Sequence, residues 1–233
     1  MFEVEAIVAT DSGVLSALRI SAPHTDTLPR KPALQAPQDS LELTLWRLAE
    51  DRDRRRRALA HAAGLGWNGP VHIEILAASA EDREVCTAAL LADAHAARIK
   101  PQRIVLELSE TEAVEDPAKL ALATAAWRAI GFRNATRHFG SGLSGLGKLL
   151  RLEPDLVCLD GGWVRRVAID PGTRIILAGV VSTCSELGCE VIADGVISAT
   201  LSNILRELGI VLQSGTYFEP LLRDLSRAGL VAE

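Results

Sequence analysis

Hydrophobic and polar positions alternate in two short runs at the start of the chain. Phe2 to Ala9 holds Val4, Ile7 and Val8, and Val14 to Ile20 follows after Thr10-Asp11-Ser12-Gly13. Period-two runs flanking a Gly-containing turn predict a β-hairpin. Residues 21–38 are rich in proline and polar side chains and predict an irregular loop. From Leu41 the period changes. Leu41, Leu45, Leu48 and Ala49 fall at helical spacing. They predict a helix to Ala63, capped by Asp39 or Ser40 and stopped by Gly64.

Beyond Gly69-Pro70 short apolar runs and helical stretches take turns. Strands are predicted at Val71 to Leu76, Arg103 to Leu108, Phe132 to Thr136, Asp155 to Leu159, Glu190 to Ala193 and Ile210 to Gln213. The helices between them end near Arg98, at Ile130, at Leu152, at Leu187 and at Leu208. Their starts carry signals. Ser79 with Asp82 resembles a capping box, Asp116-Pro117 offers a cap and an N1 proline, Leu143 opens the short helix, Thr173 the next, and Ser198 caps the last. Gly131 and Gly209 are stop signals. Sustained βα alternation implies parallel strands with right-handed crossovers, and eight strands in all suggest an α/β closed barrel of TIM type. An open doubly wound sheet is the alternative, but no GxGxxG turn follows the first parallel strand. The chain reads as one domain: hairpin 1–20, loop 21–38, helical segment 39–69, βα repeats 70–220 and a C-terminal tail 221–233.

Composition narrows the function. The 233 residues are 48% hydrophobic, enough for a real core, and carry a net charge of -5. No global positive field recruits nucleic acid, and 4% aromatic content argues against base-stacking platforms. Cys86, Cys158, Cys184 and Cys189 fall in no metal-ligand spacing and read as reduced thiols of a cytoplasmic protein. The N-terminus lacks the basic region and long apolar run of a signal peptide, and no stretch is long enough to span a bilayer. The run Asp51-Arg52-Asp53-Arg54-Arg55-Arg56-Arg57 reads as a solvated helical face or as a docking patch for an acidic partner.

Candidate chemistry stands where strands finish. Phe132 to Leu146, FRNATRHFGSGLSGL, is a buried strand that delivers Arg137 and His138 to a turn containing Gly140 and Gly142. Glu74, Glu107 with Glu110, Asp160, Asp194 and Gln213 end the other strands. In a barrel such residues converge on the C-terminal face, and a carboxylate cluster there suits divalent metals and phosphate chemistry.

The order of motifs resembles the EAL family of cyclic di-GMP phosphodiesterases. The matching pieces are LELSE at Leu106 to Glu110, FGSGLSGL at Phe139 to Leu146, EPDLVCLD at Glu153 to Asp160, CEVIADGV at Cys189 to Val196 and LQSGTYFEP at Leu212 to Pro220. SALRI at Ser16 to Ile20 sits where the signature belongs. The resemblance implies a TIM-like (β/α)8 barrel of EAL type whose N-terminal hairpin contributes an antiparallel strand. It also implies a site where two divalent ions activate a water against a phosphodiester. Carried over by position, the metal glutamate of the signature falls on Ser16 and the metal asparagine on Glu74. Glu107, Glu110 and Gln213 are kept, Asp194 stands in the Ala-Asp-Gly-Val segment, and the paired aspartates become Arg137 and His138. The family's Lys-Ile-Asp becomes Cys158, Leu159 and Asp160.

These departures predict that metal-dependent hydrolysis and Mg2+ or Mn2+ binding are lost. Two adjacent ions need bridging carboxylates, and Arg137 puts a permanent cation there instead, pairing with Glu107 or Asp160. The first expectation is therefore a non-enzymatic, EAL-like regulator in bacterial cyclic di-GMP signalling that binds another protein. Its surface is the Arg52 to Arg57 helix, or the helix Pro117 to Ile130 with the loop after Glu110, a region that resembles the family's dimerisation region. The second is a metal-free cyclic di-GMP receptor using Arg19, Arg137, Gln213, Glu219 and Pro220, with arginine as the phosphate ligand. The third is a weak phosphodiesterase with a rebuilt site of Glu74, Glu107, Asp160 and His138.

Overall fold

A computed structural model describes residues 2–22, 41–80, 82–109, 116–141 and 146–227. Eight strands close into a barrel in sequence order. β1 (Glu3–Ala9) and β2 (Val14–Ser21) form the expected hairpin, and β1 also pairs antiparallel with β8 (Leu212–Ser214). Between them run β3 (Val71–Glu74), β4 (Ile104–Ser109), β5 (Arg133–Phe139), β6 (Leu156–Leu159) and β7 (Glu190–Ala193), with every neighbouring pair from β2 to β8 parallel. This is the predicted TIM-like barrel with one antiparallel strand.

The helices are α1 (Leu41–Gly64), α2 (Arg83–Ala96), α3 (Pro117–Ile130), α4 (Gly147–Leu152), α5 (Gly161–Arg166), α6 (Pro171–Glu186), α7 (Ala199–Glu207) and α8 (Glu219–Arg227). Local chemistry sets their ends. Asp116 Oδ1 accepts from the N–H groups of Ala118 (3.0 Å) and Lys119 (3.1 Å), Pro117 sits where no N–H is needed, and Gly131 turns the chain at φ 109°. Ser198 caps α7 as expected. The α2 cap is Asp82, not Ser79: Ser79 lies in a 3-10 turn at Ala77–Ala80, and its hydroxyl donates to Asp51 Oδ2 instead. Asp39 and Ser40, the expected caps of α1, lie outside the described residues, as do Glu110 and Gly142.

Two helices escape the hydrophobic pattern. α5 begins Gly161-Gly162 and is held by Asp160, whose Oδ1 accepts from Gly162 N at 2.8 Å. α8 occupies residues 219–227, so the expected tail is helical over much of its length.

The core has two layers. Ile7, Ala17, Val105, Ala135, Leu156, Cys158 and Ile192 fill the barrel. A larger shell, with Leu18, Ile73, Leu106, Trp127, Val157 and Leu205 among its members, lies between sheet and helices. Much of the arginine run is taken up by ion pairs within the fold. Arg55 is buried and paired with Asp51, Arg57 Nε donates to Asp53 Oδ2 at 2.7 Å, and Arg54 reaches Glu74 at 3.2 Å. Only Arg52 and Arg56 of the run are exposed, and Arg56 pairs with Asp53. Among the described residues no helix is long and apolar enough to cross a membrane.

Candidate functional site at the barrel mouth

Strand periodicity builds the site. Side chains two residues apart share a face, so the position two beyond each apolar interior residue also points inward. Ala17 is followed in this way by Arg19, Val105 by Glu107, Ala135 by Arg137, Leu156 by Cys158, Ile192 by Asp194 and Leu212 by Ser214. On β3 the inward positions are His72 and Glu74, which stand in register with Val105 and Glu107.

Arg19 is the centre of this ring and is 2% exposed. Its Nε lies 2.9 Å from both oxygens of Glu107. One terminal nitrogen lies 3.0 Å from Glu5 Oε2, 3.0 Å from Asp194 Oδ1 and 3.4 Å from Ser214 Oγ. The other is 3.4 Å from Cys158 Sγ. Ser214 Oγ in turn donates to Asp194 Oδ1 at 2.8 Å. Glu107 also takes His72 Nδ1 at 2.8 Å, which requires the proton on that nitrogen because an ionised carboxylate only accepts. Arg137 Nε stands 3.7 Å from Glu107 Oε2, and its terminal nitrogen pairs with Glu74. Glu74 thus joins two arginines, Arg54 from α1 and Arg137 from β5.

Charge pairing overrides burial here. Burial alone would raise the pKa of Glu107, yet Arg19, the hydrogen bond and charge of His72, and Arg137 hold it well below the usual carboxylate range. Burial alone would lower the pKa of Arg19, yet Glu107, Asp194, Cys158 and Glu5 push it well above its ordinary value. Burial, reinforced by Glu107 and Asp194, pushes the Cys158 thiol far up, so it stays protonated and neutral.

The expected residues sort into two groups. Glu74, Glu107, Arg137, Cys158 and Asp194 come together as predicted, and Arg137 pairs with Glu107 as predicted but with Glu74 in place of Asp160. Ser16 does not join them. Ile7 pairs with Ala17 and Val8 with Leu15, which makes Ser16 the extra residue of a β-bulge. The β2 residue beside Glu107 is Arg19. Arg19 itself is enclosed by acids rather than open to a phosphate. Gln213 has the opposite parity: its amide nitrogen donates to Ser202 O (3.1 Å) and Ile210 O (2.9 Å), away from the ring. Glu219 and Pro220 are exposed in the first turn of α8, where Glu219 faces Arg223 at 3.9 Å. His138 turns out of the strand at φ 58° and stands 3.9 Å from Asp160, which caps α5. The rebuilt site of Glu74, Glu107, Asp160 and His138 is therefore split between two pairs. Among the described residues no group of three or more His, Cys, Asp or Glu side chains is placed to hold a metal ion.

Sequence reasoning missed Glu5, His72, Ser214 and Arg54. The first three carry a usable signal, because hairpin register pairs Glu5 with Arg19 and parity places His72 and Ser214 inward. Arg54 arrives from a helix, and no strand rule finds it.

The family model described as EAL domain matches residues 41–220. The chain belongs to that family. This EAL domain is 27% identical over 220 residues to the cyclic di-GMP phosphodiesterase RocR of Pseudomonas aeruginosa, covering 91% of this chain and 54% of the relative. It is 27% identical over 160 residues to the blue light- and temperature-regulated antirepressor BluF of Escherichia coli, covering 69% of this chain and 40% of the relative. The chain therefore spans about half the length of these curated relatives. Among solved structures, BlrP1 of Klebsiella pneumoniae in a calcium and cyclic di-GMP complex superimposes with a TM-score of 0.77 at 28% identity, over 92% of this chain and 54% of that one.

Proposed function

We propose that this EAL domain is a catalytically silent regulator in cyclic di-GMP signalling that acts by binding another protein. The observation that carries the reading is the Arg137 guanidinium, which stands where the family's paired aspartates would bridge two ions, pairs with Glu74 and holds its Nε 3.7 Å from Glu107 Oε2. A pair of divalent ions needs carboxylate oxygens with free lone pairs and no fixed cation between them. Here Glu107 already serves Arg19 and His72, and Glu74 serves Arg54 and Arg137. The residues present do not fit two metals. Cys158, neutral where the family places a lysine, brings no positive charge to a reacting phosphate.

The relatives bracket this reading, since at equal identity one is named a phosphodiesterase and another an antirepressor. Of the two expected partner surfaces, the arginine run is mostly consumed by internal pairs. The α3 face remains, with Leu122 standing 59% exposed.

Chromatography after prolonged incubation of cyclic di-GMP with the protein and Mn2+ or Mg2+ tests the claim. No linear pGpG above the protein-free blank is expected. Turnover that vanishes in Glu107→Gln would defeat it. Calorimetry without metal reports on the receptor alternative: tight nucleotide binding there would move the function from partner scaffold to ligand sensor.

A further inference from the structure

We infer that a second copy of this chain packs on the outer face of α6, with the two helices antiparallel and crossing at Gly179. The contact goes beyond the functional reading above and does not depend on it.

A helix on a protein surface ordinarily carries charge on its outer side. α6 does not: no charged residue stands between Arg174 and Glu186. Its inner side is buried through Thr173, Leu177, Val180 and Cys184. Its outer side presents Ile175 and Ile176, 74% and 57% exposed, and then Gly179 and Ser182. Ile169, just before the helix, is 83% exposed. Large apolar side chains grouped in water mark an interaction surface. Gly179 points the same way independently. Glycine in the middle of a helix weakens it relative to alanine. Nothing inside the chain requires it, because a Cβ there would meet no atom within 4 Å. A glycine facing open space suits the close approach of a second backbone.

The face is complementary to itself, as a two-fold contact demands. At about 3.6 residues per turn, Gly172, Ile175, Ile176, Gly179, Thr183 and Glu186 share one side of the helix. About an axis at Gly179, Ile175 meets Thr183 and Ile176 meets Ser182, so a large side chain opposes a small one at each step. Charge complementarity agrees. Glu186 meets the other copy's Gly172, at the positive end of its helix. Arg166, 65% exposed, stands near that end and holds the cap Asp170 at 3.5 Å.

Sedimentation velocity of the full chain across a concentration series tests the inference. The wild type should pass from monomer to dimer as concentration rises. Ile175→Asp/Ile176→Asp should keep its circular dichroism spectrum, since both side chains already stand in water in the monomer. Its self-association should weaken about 100-fold. Gly179→Ala should separate folding from association. Its monomer should melt higher, because alanine is the better helix former, while its dimer weakens about 10-fold. Gly179→Cys reads the geometry. A residue on the axis faces its own copy, so oxidation with copper phenanthroline should trap a covalent dimer, the four native cysteines being buried. Ile175→Cys, displaced from the axis, should give none. A wild type that stays monomeric throughout overturns the inference. So does a dimer that the isoleucine variant leaves intact, or one that Gly179→Cys fails to trap.

Discussion

Gly215 shows how little freedom single positions have at the mouth. Its φ is 140°, a backbone region that side-chain-bearing residues avoid, and a Cβ there would overlap the backbone of Val196. The overlap matters because Val196 N donates to Ser214 O at 2.9 Å and Tyr217 N to Val196 O at 3.1 Å, tying two loops together beside Asp194. Gly215→Ala should therefore cost about 3 kcal/mol or more, read as a lowered urea midpoint at unchanged slope. Residues of this kind were partly legible. Period-two alternation marks Glu107, Arg137, Cys158 and Asp194 as one inward series. Ser16, placed at the site by resemblance alone, falls instead on a bulge that inserts one residue and shifts the series. Alternation failed for Gln213, because its neighbour Ser214 holds the inward parity and the larger side chain faces α7.

At the scale of elements, α1 does more than cover the sheet. Asp51 on this helix accepts from Leu76 N at 3.1 Å and from Ser79 Oγ at 2.6 Å, and it pairs with the buried Arg55. One side chain thus positions the turn after β3 and compensates an interior cation. Asp51→Ala should remove the ion-pair partner of Arg55, leaving it the nearby charge of Asp93, and loosen that turn together. The expected loss is about 3–5 kcal/mol by chemical denaturation, against about 1 kcal/mol for the exposed cap variant Asp116→Ala. Capping chemistry made α3 and α7 readable from Asp116, Gly131 and Ser198. α5 was not readable, since its Gly-Gly start has poor intrinsic helicity and depends on Asp160 beneath it. The arginine run was legible in part: Asp51 and Asp53, which pair with Arg55, Arg56 and Arg57, stand in the run itself, whereas Glu74 and Asp93 lie elsewhere in the sequence.

For the whole molecule, the ion ring couples folding to acidity. The folded pKa of Glu107 is depressed, so its stabilising contribution is complete above the carboxylate range of the unfolded chain, roughly pH 4, and is lost as pH falls. Stability should decline below about pH 5, with Glu107 alone contributing a slope of up to about 1.4 kcal/mol per pH unit. Urea titrations between pH 7 and pH 3 should show this for the wild type, and a shallower decline for Glu107→Gln. Equal slopes would mean that other carboxylates carry the acid sensitivity. Barrel closure itself was legible from the βα count and the opening hairpin, because eight strands with one antiparallel entrant leave few ways to satisfy both edges.

That closure has a bearing on biosynthesis. The seam joins Val8 to Gln213, and Thr10 donates to Val211 across 201 positions. Of the barrel's strands, β1 is made first and must therefore wait, one edge unsatisfied, until β8 has emerged. Nascent chains stalled before residue 212 should be substrates for holding chaperones and proteases, and release of the final strand should be the step that ends that exposure.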